Sequence, residues 1–351
     1  MEAYKEAGEK QFRNKITFFS FWLAFGVIKI HTYNVESYAL LERTDLFSRL
    51  IVFVEKWERE LQNICVPFFF IISGYLFFRT FEMKKIFYKY RTRVRTILIP
   101  YIIWCSIYYI YMCVLSHIPQ IGPYINNGEA IPFTLSAWFD WVGNNSYYTL
   151  WFLKDLILFI MFTPVIYVLL KNHQKFLSGL VVIIVLLFTP IVFRNKMDID
   201  VNSLTLYCCG AYVGINHKEI PKIQQKWLMS GARIIVIIFL LINMLFIDEG
   251  IFSNIYAQIV MCISLWYAVG SNLFVHDLQW WYTVSFYIYC IHDIFLEAIE
   301  KLFFIIFGNG SIFALMDYLL APVITVILCV LSAAILKKYC PVIWGVLTGG
   351  R

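Results

Sequence analysis

The sequence predicts an all-α, polytopic integral membrane protein with about ten transmembrane helices. Of its 351 residues, 60% are hydrophobic and only 15% are charged, and the mean hydropathy is +0.70. Soluble domains carry about 25% charged residues, so the composition excludes an ordinary soluble fold. The apolar stretches are long, numerous and spread over the whole chain, and a spanning helix needs roughly 20 such residues. Short segments of alternating polarity are missing, which favours helices over a barrel.

Ten apolar segments account for most of the chain. The second and the sixth are short, and the ninth carries polar residues. The spans are predicted near 16–33, 64–79, 96–117, 148–170, 177–193, 202–216, 228–247, 251–272, 280–303 and 316–337.

Basic residues set the predicted orientation, because Lys and Arg are enriched in cytoplasmic loops. A cytoplasmic N-terminus puts the basic loop between the second and third spans on the same side, together with most other lysines and arginines. We therefore expect a cytoplasmic N-terminal segment at 1–15, a transmembrane domain at 16–338 and a short cytoplasmic tail at 339–351. The N-terminal segment is mixed in charge and no small-residue cleavage site follows the first apolar run, so no cleavable signal peptide is expected. The net charge of +6 reflects these loops near anionic lipid and does not indicate a nucleic-acid partner.

Two long loops are predicted on the outer side. The loop at 34–63 has helical spacing in its second half, so it is expected to lie along the membrane interface or to pack over a cavity. The loop at 118–147 has no clear helical pattern. It either contacts a large extracytoplasmic substrate or is a solvated connector.

The first span ends in ionisable residues. His31 lies at its far end, and Lys29 precedes it by two positions. A lysine at the centre of a membrane helix costs about 2.5–3.5 kcal/mol on insertion scales, so such groups usually mark a functional site. A neutral imidazole costs less and exchanges a proton near neutral pH, as a general base must. The alternative is an interfacial imidazole that lipid headgroups satisfy.

Five local motifs follow one another along the chain. Each is weak alone, because aromatic residues are common in membrane helices. They are FFSFWLAFGVIKIH at 18–31, VPFFFIISGYLFFR at 66–79, RTRVRTILIPY at 91–101, LWFLKD at 150–155 and SFYIYCIH at 285–292.

Together these motifs resemble the acyltransferase-3 family of integral membrane O-acyltransferases, over almost the full chain. The resemblance implies transfer of an acetyl or other short acyl group, possibly including succinyl, from cytoplasmic acyl-CoA. The acceptor would be a hydroxyl of a cell-surface glycan or of a lipid-linked saccharide. It also implies a multi-pass protein of the bacterial plasma or inner membrane that acts in the cell envelope. Acyl-CoA would be a donor substrate, so no permanently bound cofactor and no metal are expected.

The resemblance implies that His31 is the general base, which removes the proton of the attacking hydroxyl. A donor must also stabilise the thioester oxyanion. The candidates for this donor are Lys29, Ser73, Tyr75 and Lys154.

His292 and Asp293 form a second polar centre, and Glu297 lies on the same helical face as Asp293. Buried carboxylates of this kind either orient an imidazole or pair with Lys154. Asp155, beside Lys154, is a comparable case. The alternative for all of them is an ion-pair network that holds the helices together.

The basic loop ahead of the third span offers cations for the phosphates of acyl-CoA, because Arg binds phosphate in a bidentate manner. Lys89, Arg91, Arg93 and Arg95 are the candidates, and Arg93 and Arg95 lead directly into the span. The alternative is a topology signal and lipid anchor.

One position departs from the family pattern. Family members commonly place an Arg or Lys eleven residues before the histidine, and Ser20 stands there in this chain. The cationic role has either moved to Arg13, Lys15 or Lys29, or been lost. The departure also keeps open a degenerate family member that acts only as an assembly partner or sensor.

A second class of function stays open at this level. A transporter or flippase for a polysaccharide or a lipid-linked saccharide would share the aromatic spans and the charges within them. The order of the motifs and the missing internal repeat argue against it.

Overall fold

The computed structural model describes residues 2–124, 126–144, 147–171, 183–184, 200–216, 226–246, 250–274 and 276–351. Within these ranges the chain is built from helices and connecting turns, without a strand. The main helices are α1 (Glu2–His31), α2 (Leu46–Gln62), α3 (Cys65–Arg79), α4 (Ile86–Arg93), α5 (Ile99–Ser116), α6 (Leu135–Gly143), α7 (Trp151–Met161), α8 (Thr163–Leu170), α9 (Val201–Asn216), α10 (Lys226–Leu245), α11 (Ile255–Ala268), α12 (Ser285–Phe307), α13 (Ser311–Tyr339) and α14 (Pro341–Thr348).

The predicted all-α membrane fold is confirmed in its class. Four helical stretches in the described part are long and apolar enough to cross a membrane, and a fifth results if α7 and α8 count as one broken span. The four are Leu46–Arg79, Met83–Ser116, Lys226–Leu245 and Ser311–Tyr339.

Fewer helices of the described part qualify as membrane spans than the ten that the sequence predicts, because some are broken, short or charged. The fourth predicted span breaks at Phe162, just before Pro164, which has no N–H to continue a helix. The ninth span is helical as α12, but acidic side chains such as Asp293 and Glu300 lower its hydropathy. The eighth span contains α11, which is only 14 residues long. Apart from 183–184, the fifth span, 177–193, lies outside the described residues.

The described helices divide into two compact units. The first consists of Met1–Met83 and Phe162–Val330 and contains α1–α3, α8–α12 and most of α13. The second consists of Lys84–Met161 and Leu331–Arg351 and contains α4–α7, the end of α13 and α14.

The first unit is organised around α3, which packs against α9 and α1. Gly74 of α3 and Gly210 of α9 let the two backbones touch. A Cβ atom added at Gly74 would lie 2.1 Å from the carbonyl oxygen of Tyr207, and one at Gly210 would lie 2.0 Å from that of Ile71. Small residues permit this close approach of helices in membranes.

The helix α2 confirms the helical spacing predicted for the second half of the 34–63 loop. Asp45 caps it by accepting a hydrogen bond from the backbone N–H of Ser48 at 2.8 Å. One face packs toward α1 and buries Ile51 and Glu55. The opposite face exposes apolar side chains, as expected for a helix at a membrane interface. These exposed side chains are Leu46, Phe47, Leu50, Phe53 and Val54.

The second unit corrects the prediction for the 118–147 loop, which contains a helix where no helical pattern was expected. Thr134 caps α6 by accepting a hydrogen bond from the N–H of Ala137 at 3.2 Å, a local signal that the sequence carries. The loop is also anchored to α5, because the hydroxyl of Tyr109 donates to the carbonyl oxygen of Pro132 at 2.6 Å.

Candidate active site

Two histidines meet in the first unit. His31 is the last residue of α1, and His292 lies in α12, which packs against α1. The centroids of their rings are 5.4 Å apart. His292 is fully buried, whereas His31 is half-buried. The structure therefore brings together two of the predicted site residues that are far apart in the sequence.

The tautomer of His292 follows from its hydrogen bond. Its Nδ1 lies 2.8 Å from the carbonyl oxygen of Tyr289, and a carbonyl oxygen only accepts, so Nδ1 carries the hydrogen. In the neutral ring Nε2 then has a lone pair and no hydrogen. This buried Nε2 has no hydrogen-bond partner within the described ranges. A buried acceptor without a partner costs free energy, which makes it a candidate for contact with a reacting group.

Lys29, the predicted cation beside His31, is held by two other residues. Its Nζ lies 2.9 Å from Oε2 of Glu58 on α2 and donates to the carbonyl oxygen of Tyr318 on α13 at 3.1 Å. The same ammonium lies 3.2 Å from the centroid of the Tyr318 ring, and the Tyr318 hydroxyl donates to Oε2 of Glu58. Lys29 thus ties three helices together just before His31.

A second buried cluster follows His31. The backbone N–H of Asn34 donates to Oε2 of Glu55 on α2 at 3.2 Å, and its side-chain Nδ2 donates to Oδ2 of Asp317 on α13 at 3.3 Å. The hydroxyl of Tyr38 donates to the same Asp317 oxygen at 3.3 Å. Glu55 and Asp317 are 0% and 1% exposed, so this cluster lies inside the protein.

Ser73 and Tyr75 lie elsewhere on the first unit. The Tyr75 ring packs edge-on against Phe12 of α1, with ring centroids 5.8 Å apart. Phe12 and His31 are separated by about 28 Å along α1 at about 1.5 Å per residue. Tyr75 therefore lies near the other end of α1, too far from His31 to donate to the same oxyanion. Ser73 is half-buried on α3, two residues before Tyr75.

Each basic residue considered in place of Ser20 has its own contacts. Arg13 pairs with Glu9 at 3.3 Å. The buried Lys15 donates to the carbonyl oxygens of Trp266 and Val269 at 2.6 and 2.8 Å, where it caps the C-terminal end of α11. Lys29 pairs with Glu58, as described above. Of the three, only Lys29 lies within two residues of His31.

The remaining candidates belong to the second unit. Arg91 and Arg95 are exposed, and Lys89 and Arg93 are half-buried. A π-helical turn, Val94–Leu98, joins α4 to α5 and contains Arg95. Such turns are rare and are frequent at functional sites. Asp155 is buried on α7, beside the half-buried Lys154.

Within the described ranges, no three His, Cys, Asp or Glu side chains are arranged to hold a metal ion. All nine cysteines are free thiols. The side chains described around His31 include imidazole and carboxylate groups, which can transfer protons and orient one another.

Comparison with protein families gives a match over most of the chain. A family described as "Acyltransferase domain", acyltransferase-3, matches residues 16–336. The chain belongs to the acyltransferase-3 family. It is therefore an acyltransferase, and the resemblance based on the five motifs is confirmed.

A curated relative of this acyltransferase is similar over nearly its whole length. The succinoglycan biosynthesis protein ExoH of Rhizobium meliloti (strain 1021) is 23% identical over 345 residues. The match covers 94% of this chain and 90% of that protein. No solved structure matches.

Sequence reasoning missed four polar residues that contact the chain around the end of α1. They are Glu55, Glu58, Asp317 and Tyr318. Glu55 and Glu58 lie in α2, inside the segment that the sequence predicts as an outer loop, where charged side chains are usually solvated. A spacing of three residues does place them on one face of α2, opposite the apolar stripe. That local signal says nothing of their partners on α1 and α13.

Proposed function

We propose that this acyltransferase moves an acetyl or other short acyl group from acyl-CoA to a hydroxyl of a cell-surface polysaccharide or of its lipid-linked precursor. The observation that carries the proposal is the pairing of His31 with His292, whose buried Nε2 has no partner in the described part of the chain. The relative in succinoglycan biosynthesis supports a glycan as acceptor. Family membership supports acyl transfer as the reaction.

In this proposal His31 is the general base. Its imidazole takes the proton of the acceptor hydroxyl while the hydroxyl oxygen bonds to the carbonyl carbon of the thioester. The carbon–sulfur bond then breaks, and the imidazolium returns the proton to the leaving thiolate of CoA. When the substrate is bound, the bare Nε2 of His292 accepts a hydrogen bond from the other ring nitrogen of His31 and orients the base, as a third group does in other acyl-transfer sites.

The proposed topology brings the two substrates from opposite sides. The ten predicted spans and the cytoplasmic termini place the basic loop on the cytoplasmic side, where acyl-CoA is present. Lys89, Arg91, Arg93 and Arg95 bind its phosphates. His31 lies toward the outer side of a bacterial plasma or inner membrane, where the glycan hydroxyl enters. Asp155 of the second unit is proposed as a site residue, a buried carboxylate that orients a neighbouring polar group.

The experiment that tests the proposal uses purified protein in detergent or nanodiscs. Labelled acetyl-CoA and a candidate glycan are supplied, and the glycan mass is recorded with and without the protein. We expect a mass increment of one acyl group per modified hydroxyl. Movement of the glycan across a vesicle membrane without any acyl transfer would overturn the proposal in favour of a transporter.

The role of His31 is tested with a matched pair of variants. The substitution His31→Ala should abolish transfer and leave a folded membrane protein, since general bases contribute about 10²- to 10⁴-fold. The control is His276→Ala, because the side chain of His276 is exposed and the contact of this residue with Asn14, at 2.9 Å, is made through its backbone oxygen. Normal product from His31→Ala would remove His31 as the base.

A further inference from the structure

Two glutamates of α2 hold the chain on either side of His31. Glu58 contacts Lys29, two residues before His31, at 2.9 Å. Glu55 accepts the backbone N–H of Asn34, three residues after His31, at 3.2 Å. The two glutamates are one helical turn apart on α2, so they point to the same side of that helix.

Each contact is extended to a third helix. Glu58 also accepts the hydroxyl of Tyr318, and the amide of Asn34 donates to Asp317, the neighbour of Tyr318 on α13. We call this arrangement, with Glu55 and Glu58 on α2 and Asp317 and Tyr318 on α13, the clamp. It encloses residues 29–34 between two helices that come from distant parts of the sequence.

His31 needs such support because of where it lies. It is the last helical residue of α1, and the final turn of a helix has carbonyl groups without helical partners and frays easily. Inside the last turn, the hydroxyl of Thr32 donates to the carbonyl oxygen of Lys29 at 2.8 Å. The clamp adds contacts from two other helices on both sides of His31, at Lys29 and at Asn34.

We propose that Glu55 and Glu58 are positioning residues, which fix the end of α1 and thereby set the place of the His31 ring. This inference rests on the proposed function of His31 as the base. The clamp acts through geometry, since a reacting group displaced by about 1 Å can lose on the order of 10²-fold in rate. Lys29 then serves as the partner of Glu58 and not as the oxyanion donor.

The test compares Glu55→Ala, Glu58→Ala and the double variant with Glu36→Ala, because alanine removes the acceptor oxygens that glutamine would keep. Glu36 is an exposed carboxylate in the same loop and is the matched control. For each protein, kcat per folded molecule, KM for acyl-CoA and the thermal unfolding midpoint are measured. Hydrogen exchange of the peptide covering 29–36 reports the order of the segment without reference to activity.

For the double variant we expect a folded protein with kcat lowered about 10- to 100-fold and KM for acyl-CoA within about twofold of wild type. Amides 29–36 should exchange faster, and Glu36→Ala should match wild type in every measurement. Wild-type kcat together with faster exchange would overturn the proposal, because the segment would be loosened without effect on His31. Unchanged exchange would overturn it as well.

A milder variant covers the case in which the double variant does not fold. The substitution Tyr318→Phe removes one hydrogen bond to Glu58 and keeps the ring under the Lys29 ammonium. It should lower kcat by a few-fold without a change in KM, and an unchanged kcat would overturn the proposal. If wild-type protein transfers no acyl group, the proposed function fails, while the exchange measurement still reports on the clamp.

Discussion

The ring centroids of His31 and His292 lie 5.4 Å apart, although the two residues belong to the first and the ninth predicted spans. The contact joins the end of α1 to the middle of α12. Because Nδ1 of His292 is bound to the carbonyl oxygen of Tyr289, only Nε2 is left to act on a neighbour. In the neutral ring, Nε2 of His292 can only accept a hydrogen bond, either from His31 or from a substrate.

The first prediction concerns Nε2 of His292 as a hydrogen-bond acceptor. In His292→Asn, the side-chain amide replaces Nδ1 as donor to Tyr289, but nothing replaces Nε2. We expect a folded protein whose kcat falls by about 10²-fold or more. His292→Gln instead places an amide near the Nε2 position, so it should retain more activity than the Asn variant. Wild-type kcat in His292→Asn would show that Nε2 has no part in the reaction.

The second prediction concerns the donor. Charge-assisted hydrogen bonds contribute about 1.5–3 kcal/mol each, so Arg93→Ala combined with Arg95→Ala should weaken acyl-CoA binding at least tenfold. Titration calorimetry measures the affinity, and the loss should shrink at high salt because phosphate contacts are screened. Lys226→Ala removes an exposed cation outside the basic loop and serves as control. An unchanged affinity would leave Arg93 and Arg95 as topology signals only.

The third prediction concerns pH. The Arg79 guanidinium binds both carboxylate oxygens of Glu9, at 3.2 and 2.6 Å, and holds the pKa of Glu9 below its usual 4.5. The folded state therefore favours the charged carboxylate, so the pair stabilises the fold in full above pH 4.5 and loses this effect as the pH falls through the lowered pKa.

The variant Glu9→Gln isolates this contribution. At pH 7 its thermal midpoint should lie below that of wild type, by the equivalent of up to about 1 kcal/mol for a partly exposed pair. The difference should shrink as the pH falls below 4.5. Glu42→Gln, at an exposed position, is the control. A difference that is constant over this pH range would contradict the ionic origin of the effect.

The helices were predictable because their signals are local. The first predicted span, 16–33, ends within two residues of the end of α1 at His31, and the sixth, 202–216, nearly coincides with α9. A long apolar run by itself predicts a helix, since the backbone in a membrane must satisfy its hydrogen bonds internally. The break at Phe162 also has a local cause in Pro164.

The contacts around the site were not predictable in the same way. Lys29 was a candidate because of its place beside His31, but its partner Glu58 depends on how α2 folds back over α1. Tyr75 was grouped with His31 because both stand in family motifs, yet its contact with Phe12 puts it at the other end of α1. Motif order carries no information on which ends of two packed helices meet.

The last prediction concerns the glycine of the FFFIISGY motif. Because a Cβ atom at Gly74 would lie 2.1 Å from the carbonyl oxygen of Tyr207, Gly74→Ala must push α3 and α9 apart. Overpacking of this kind costs about 1–3 kcal/mol or more, so the thermal midpoint should drop clearly.

The matched control for Gly74→Ala is Gly231→Ala in α10, where a Cβ atom would meet nothing within 4 Å. Alanine favours a helix over glycine by about 1 kcal/mol, so this variant should equal or exceed wild type in stability. A Gly74→Ala protein as stable as wild type would contradict the close contact of α3 with α9. The expected loss of stability would show that the glycine of this family motif serves the packing of α3 against α9.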